Sequence, residues 1–146
     1  MTAEAKTEAA FVAMIQEDCP QYPAANIFGA LRIGTKATPY VLVTAKTDRS
    51  GISQTGTKIM DVEIEVAWDG DNQAAGDSDA HTAWGEDAFA AVFRTDFRTA
   101  INAQGISEFT CYGYAETGGE QVIDGRVWKN RRRLQCVIAE IDGGLD

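Results

Sequence analysis

Between Lys58 and Trp68 the chain alternates without a break. Met60, Val62, Ile64, Val66 and Trp68 fall on one side, and Asp61, Glu63, Glu65 and Ala67 on the other. A period of two with one apolar side predicts a strand, here about 58–68, with one face buried and the other solvated and negative. The β-branched run at about 40–46, YVLVTAK, predicts its neighbour. Before them the spacing changes to that of a helix over 4–18, where Ala9, Phe11, Val12, Ile15 and Cys19 make an apolar stripe. Pro20 and Pro23 end it, because neither continues a helix. NIFGALRIGT, from Asn26 to Thr35, reads either as a short strand or as an irregular crossing segment.

A second helix is predicted over 82–103, where Phe89, Phe93, Phe97 and Ile101 fall four apart and Gly105 supplies a stop. The last third returns to strands, expected at 108–114, 122–128 and 132–141, with ETGGEQ as the turn between the first two. Asp124 and Gly125 add a local turn signal that divides the middle piece, and the terminal GGLD reads as frayed. Tyr112 and Tyr114 share one face of their strand, Phe109 and Cys111 the other; Trp128 reads as core or as an interface anchor. Together these elements predict a single α+β domain over 1–146, a mixed or antiparallel sheet packed against two helices. Two polar loops interrupt it, TDRSGISQTGT at 47–57 and the Gly- and Asp-rich segment from Asp69 to Thr82.

Composition narrows the classes without naming a function. With 146 residues and 45% hydrophobic content the chain holds one folded domain, and no apolar run reaches the roughly 18 residues of a membrane span. A net charge of −9 argues against strong nucleic-acid binding, which depends on neutralising phosphates. Acidic residues stand where a signal peptide would be basic, so a cytoplasmic site of synthesis is expected. Cys19, Cys111 and Cys136 are too few and too irregular for a disulfide framework or, with His81 the only histidine, for a zinc set.

Catalytic patterns are missing. There is no GxSxG, HExxH, P-loop, GxGxxG or CxxC, so no catalytic residue, cofactor or metal is assigned. DGDNQAAGDSD faintly resembles a calcium loop but has Ala74 and Ala80 where the turn glycine and the bidentate glutamate belong, so a solvated loop is the reading. His81 reads as capping or packing at the second helix, and the cysteines as packing residues. A ligand-binding or enzymatic domain would need polar groups aimed between sheet and second helix, and none is visible.

Charge distribution says more. Between Asp61 and Asp87 stand nine carboxylates and no cation; between Arg126 and Arg133 stand Arg126, Lys129, Arg131, Arg132 and Arg133 and no acid. Such regions meet head to tail between copies, a contact that closes a ring when its rotation permits, or pair within one chain, or are merely solvated surfaces.

The helix EAAFVAMIQ, the strand MDVEIEVAW followed by a loop and FAAVFRTDFRTAI, and the late GRVWKNRRRLQCVIAEI appear in an order similar to that of the tail terminator proteins of long-tailed bacteriophages, and more broadly of tail-completion and neck-ring proteins. The likeness covers nearly the whole chain in coarse outline and lies in segment order, not in a diagnostic motif. It implies a protomer that assembles with itself as a ring, commonly a hexamer, at the head-proximal end of the tail tube. The partners it implies are the tail tube protein and a neck or connector protein, with DNA only in passage and no membrane. The implied location is the virion tail, assembled in the host cytoplasm. The charge distribution makes Asp61, Glu63 and Glu65 against Arg126, Lys129, Arg131, Arg132 and Arg133 the expected interface. The likeness implies that the 47–57 loop with Arg49 and Ser50 reaches a neighbour or the tube, that Arg131 to Arg133 face an adjacent subunit or the channel, and that the acidic stretch suits a channel lining. Another tail or neck adaptor, or a tail-tube subunit, is the alternative.

Overall fold

The computed structural model describes residues 2–30, 37–48, 57–70 and 77–139. Helix α1 (Ala3–Asp18) begins at Thr2, whose hydroxyl accepts the Ala5 N–H at 3.1 Å, and ends as the Cys19 N–H bonds Ile15 O ahead of Pro20. It buries Ala3, Ala10, Phe11, Met14 and Ile15, so the stripe runs one residue to the side of the expected one at Ala10 and Met14. Strand β1 (Ile27–Gly29) follows a single 3-10 turn (Ala24–Asn26), so the open segment contains a short strand, while its part from 31 to 35 lies outside the described residues. Then come β2 (Tyr40–Thr47), β3 (Thr57–Asp69), α2 (Asp77–Val92), α3 (Phe97–Asn102), β4 (Thr110–Asp124) and β5 (Val127–Ala139).

The strands form one sheet in the order β1-β2-β3-β5-β4. β1 runs parallel to β2 and every other pair is antiparallel, so the sheet is mixed and the fold is α+β as expected. Among the described residues three helices lie against it, where two were expected. Register puts Val41, Val43 and Ala45 beside Val66, Ile64 and Val62, and Leu134 and Cys136 beside Val62 and Met60. All are buried on the helix side, where they meet Phe11, Met14, Phe89, Phe97 and Ile101. Each of the Val, Ile, Leu, Met and Phe side chains among them contributes about 1.5–3 kcal/mol relative to exposure.

Two expectations are corrected. The helix expected over 82–103 is two helices with a turn at 93–96. Within that turn Arg94 grips Asp96 through Nε at 2.6 Å and Nη2 at 2.8 Å, and reaches Asp18 on α1 through Nη1 at 2.7 Å. The break re-aims the aromatic stripe. Phe97 stacks on Phe11 and Tyr114 at centroid distances of 5.6 and 4.5 Å, whereas a straight helix would carry it along the sheet past both.

The second correction concerns the hairpin. ETGGEQ is not a turn but the middle of β4; the strand expected at 122–128 straddles the reversal from β4 to β5, and the one expected at 132–141 is the later part of β5 as far as Ala139, with 140–141 outside the described residues. The chain reverses at Gly125, whose φ of +61° suits the Asp-Gly turn signal. The register slips at Thr117, between Glu116 and Gly118, so the paired glycines follow a bulge instead of making a turn. A side chain at Gly119 would lie 2.6 Å from the Arg131 carbonyl oxygen, so that close approach of β4 to β5 demands glycine.

Where β1 stops, Glu8 takes over. Its buried carboxylate accepts the Ala30 and Ala45 N–H groups, each at 3.0 Å, tying α1 to the ends of β1 and β2.

Candidate assembly surface

The helices cover one face of the sheet, and the other face carries the charges that sequence singled out. Strict alternation explains the placement. On β3 the polar positions Asp61, Glu63 and Glu65 face outward, and the β5 register sets Gln135, Arg133 and Arg131 directly across from them. The result is a ladder of charge-assisted hydrogen bonds. Arg131 Nε donates to Glu65 at 2.8 Å, Arg133 Nε donates to Glu63 at 2.9 Å, and Gln135 donates to Asp61 at 2.7 Å. Glu120 on β4 extends the ladder by accepting from both Arg131 and Arg133.

Glu65 is the anchor, only 5% exposed yet ionisable. The Tyr40 hydroxyl donates to its second oxygen at 2.8 Å, so the carboxylate is held from β2 and β5 at once. Burial, with the Glu65 carboxylate as the next cause, pushes the Tyr40 phenol well above its ordinary range. Hydrogen bonds from Arg133 first and Arg131 second hold Glu120 below the usual carboxylate range, and its bond to Glu65 raises Arg131. Phe28, Tyr40 and Ala67 form a small buried cluster at the β1 end of this face, with Leu42 and Val127 against it.

Arg132 points the opposite way. It lies on the helix side, bidentate to Glu116 with both bonds at 2.9 Å, with its guanidinium carbon 3.9 Å from the Phe93 ring centroid and 5.2 Å from that of Phe89. Arg126 pairs with Asp69 at 3.1 Å at the hairpin tip. Lys129 lies on the outer face across from Ala67 and Val122. Thus the acidic and basic regions pair within one chain at Asp69, Glu63, Glu65, Arg126, Arg131 and Arg133, one of the readings the charge distribution left open. Arg49 and Ser50, and the calcium-like loop over 71–76, lie outside the described residues.

Glu116 and Glu120 escaped sequence reasoning because they were placed in a turn, and Tyr40 because nothing marks a tyrosine as a carboxylate partner. Alternation of β5 against β3 was the available signal. It requires Arg131 and Arg133 on one face and Arg132 on the other.

No alternative chemistry is assembled among the described residues. No group of three or more His, Cys, Asp or Glu side chains is placed to hold a metal ion. His81 packs on Trp84 at 4.9 Å between ring centroids, and its buried Nδ1 has no hydrogen-bond partner, as is true of Trp68 Nε1. All three cysteines are buried and free, as the packing reading requires. Burial raises the Cys19 thiol to about 11, and a hydrogen bond with Cys136 lowers that of Cys111. A hollow of about 290 Å³ lies on the outer face beside the ladder, lined by Thr44, Lys46, Asp61, Glu63, Thr117 and Arg133. No described helix is long and apolar enough to cross a membrane.

No family model matches the sequence, and no curated protein matches it. Among solved structures, a chain described as "Virion of native gene transfer agent (GTA) particle" has the same architecture. The TM-score is 0.59 at 15% identity, over 95% of this chain and 99% of that one. The likeness is one of fold. It spans nearly all of both chains, so the α+β arrangement is shared as a whole and not as a fragment.

Proposed function

We propose that this chain is a non-enzymatic structural subunit of a phage-like virion. In the finer reading it is a tail terminator that assembles with itself as a hexameric ring, closes the tail tube and joins it to the neck or head. The observation that carries the proposal is the end-to-end fold likeness to a chain of a gene transfer agent virion. The segment order noted above agrees with it. Its partners are then further copies of itself, the tail tube protein and a neck or connector protein, and its location is the virion tail after assembly in the host cytoplasm. The net charge of −9 fits a body past which DNA travels without being held.

Light scattering and negative-stain microscopy test this, with the tail tube protein present. Closed rings capping tube ends are the expected result. Monomers under every condition would overturn the assembly role, and long stacked filaments would move the assignment to a tube subunit, which the fold likeness accommodates equally well.

A further inference from the structure

Two thiols of the β4–β5 hairpin lie on the same face of the sheet, and an irregularity in β4 brings them together. Cys111 stands opposite Ile138 and Tyr114 opposite Cys136, with the register shifting between Cys111 and Gly113. β4 therefore takes three steps where β5 takes two, Tyr112 being the extra residue, and the two cysteines occupy the diagonal between those pairs. Both are buried in the core, Cys111 at 0% exposure and Cys136 at 1%. A hydrogen bond joins the two side chains, and Cys111 Sγ donates onward to the Gly113 carbonyl at 3.7 Å.

The backbone is held at the same point. Cys111 N–H donates to Asn102 Oδ1 and Asn102 Nδ2 donates to the Cys111 carbonyl, both at 2.8 Å, so α3 clamps this end of β4 and keeps Cys111 from sliding along β5. Cys19, by contrast, caps α1 and takes no part in the hairpin. A disulfide needs its sulfurs about 2 Å apart and its Cα atoms within about 7 Å. Thiols already bonded to each other across adjacent strands reach that geometry by side-chain rotation and a small shift of the bulged strand.

We propose that Cys111 and Cys136 form a redox-sensitive lock, a disulfide that closes on oxidation and ties the edge strand β4 to β5. The oxidant is a small organic disulfide. The Cys111 thiolate attacks one of its sulfurs, forming a mixed disulfide and expelling the first small thiolate; the Cys136 thiolate then attacks the Cys111 sulfur and expels the second. The two cysteine sulfurs give up two electrons, the small disulfide takes them, and the two cysteine protons end on the released thiols. The order of attack follows from the shared hydrogen bond, which holds Cys111 below the ordinary thiol range and, with burial, holds Cys136 above it. Reducing surroundings keep the pair open and oxidising ones close it. β4 has only β5 as a neighbour, so the lock secures the strand most easily peeled from the sheet. It stands on the hairpin alone and is independent of the assembly reading above.

Oxidation of the folded wild type with 2-hydroxyethyl disulfide, followed by alkylation in denaturant and intact-mass measurement, tests the lock. The expected product carries one alkylated thiol of the three in the chain, yields proteolytic peptides joined through Cys111 and Cys136, and reverts with a reductant. It is expected to melt roughly 5–15 °C above the reduced protein. Cys19→Ala is expected to close in the same way, and Cys136→Ala to show neither the bridge nor the shift. Wild type and Cys19→Ala decide the matter even where Cys136→Ala folds poorly. Three alkylated thiols after prolonged oxidation, a bridge that includes Cys19 or joins two chains, or a bridge without a rise in melting temperature would each overturn the proposal.

Discussion

The two faces of the sheet are built from the same strands, residue by residue, yet they hold together by different physics. On β3, Met60, Val62 and Ile64 vanish beneath the helices while Asp61, Glu63 and Glu65 face out to meet β5. The inner face is stabilised by removing apolar surface from water, an effect indifferent to pH and little affected by moderate salt. The outer face is stabilised by ionised groups that depend on both. Stability and charge response are therefore separable in this protein, and variants on the two faces should behave as different classes.

The largest effect belongs to the inner side. Phe97→Ala removes a ring that bridges α1 and β4, and denaturant unfolding should show a loss of about 3–5 kcal/mol. A loss below about 1 kcal/mol would mean that α3 is not part of the core. Next comes Glu65→Ala, which leaves Arg131 and the Tyr40 hydroxyl facing a gap on the outer side. Its expected cost is about 1.5–3 kcal/mol, while Glu65→Leu combined with Arg131→Met should recover much of it, since a paired charge and a packed apolar pair are often equivalent.

Smaller still is the acid response. Glu120 is held below the usual carboxylate range when folded, so its contribution is fully present above the ordinary glutamate pKa and lost as pH falls through the lowered value. Glu120→Gln should therefore differ from wild type in melting temperature at neutral pH and converge with it at strongly acidic pH. Parallel curves across the range would show that Arg131 and Arg133 do not stabilise the charged form. The smallest effect is at the hairpin tip, where Arg126→Ala removes an exposed pair and should change stability by about 0–1 kcal/mol, with any difference shrinking in high salt.

Legibility in the sequence followed the same division. Local periodicity was enough for α1, β2 and β3, because each has one wet side and one dry side, and for the fold class that follows from them. It failed at Phe93–Phe97, where a four-residue aromatic spacing continues across a turn and looks helical throughout. It failed again at Gly118-Gly119, because paired glycines mark a bulge as readily as a turn, while Asp124-Gly125 carried the real signal. The charged residues were visible as two tracts, but their pairing depends on β5 lying between β3 and β4. That neighbour relation joins residues such as Glu65 and Arg131, far apart in the chain, and no local pattern encodes it.

Glu8 has a consequence for the seam between helix and sheet. By occupying the Ala30 and Ala45 N–H groups where β1 gives out, its carboxylate works as a rivet: the first helix cannot lift from the sheet without stripping two backbone donors of their acceptor at once.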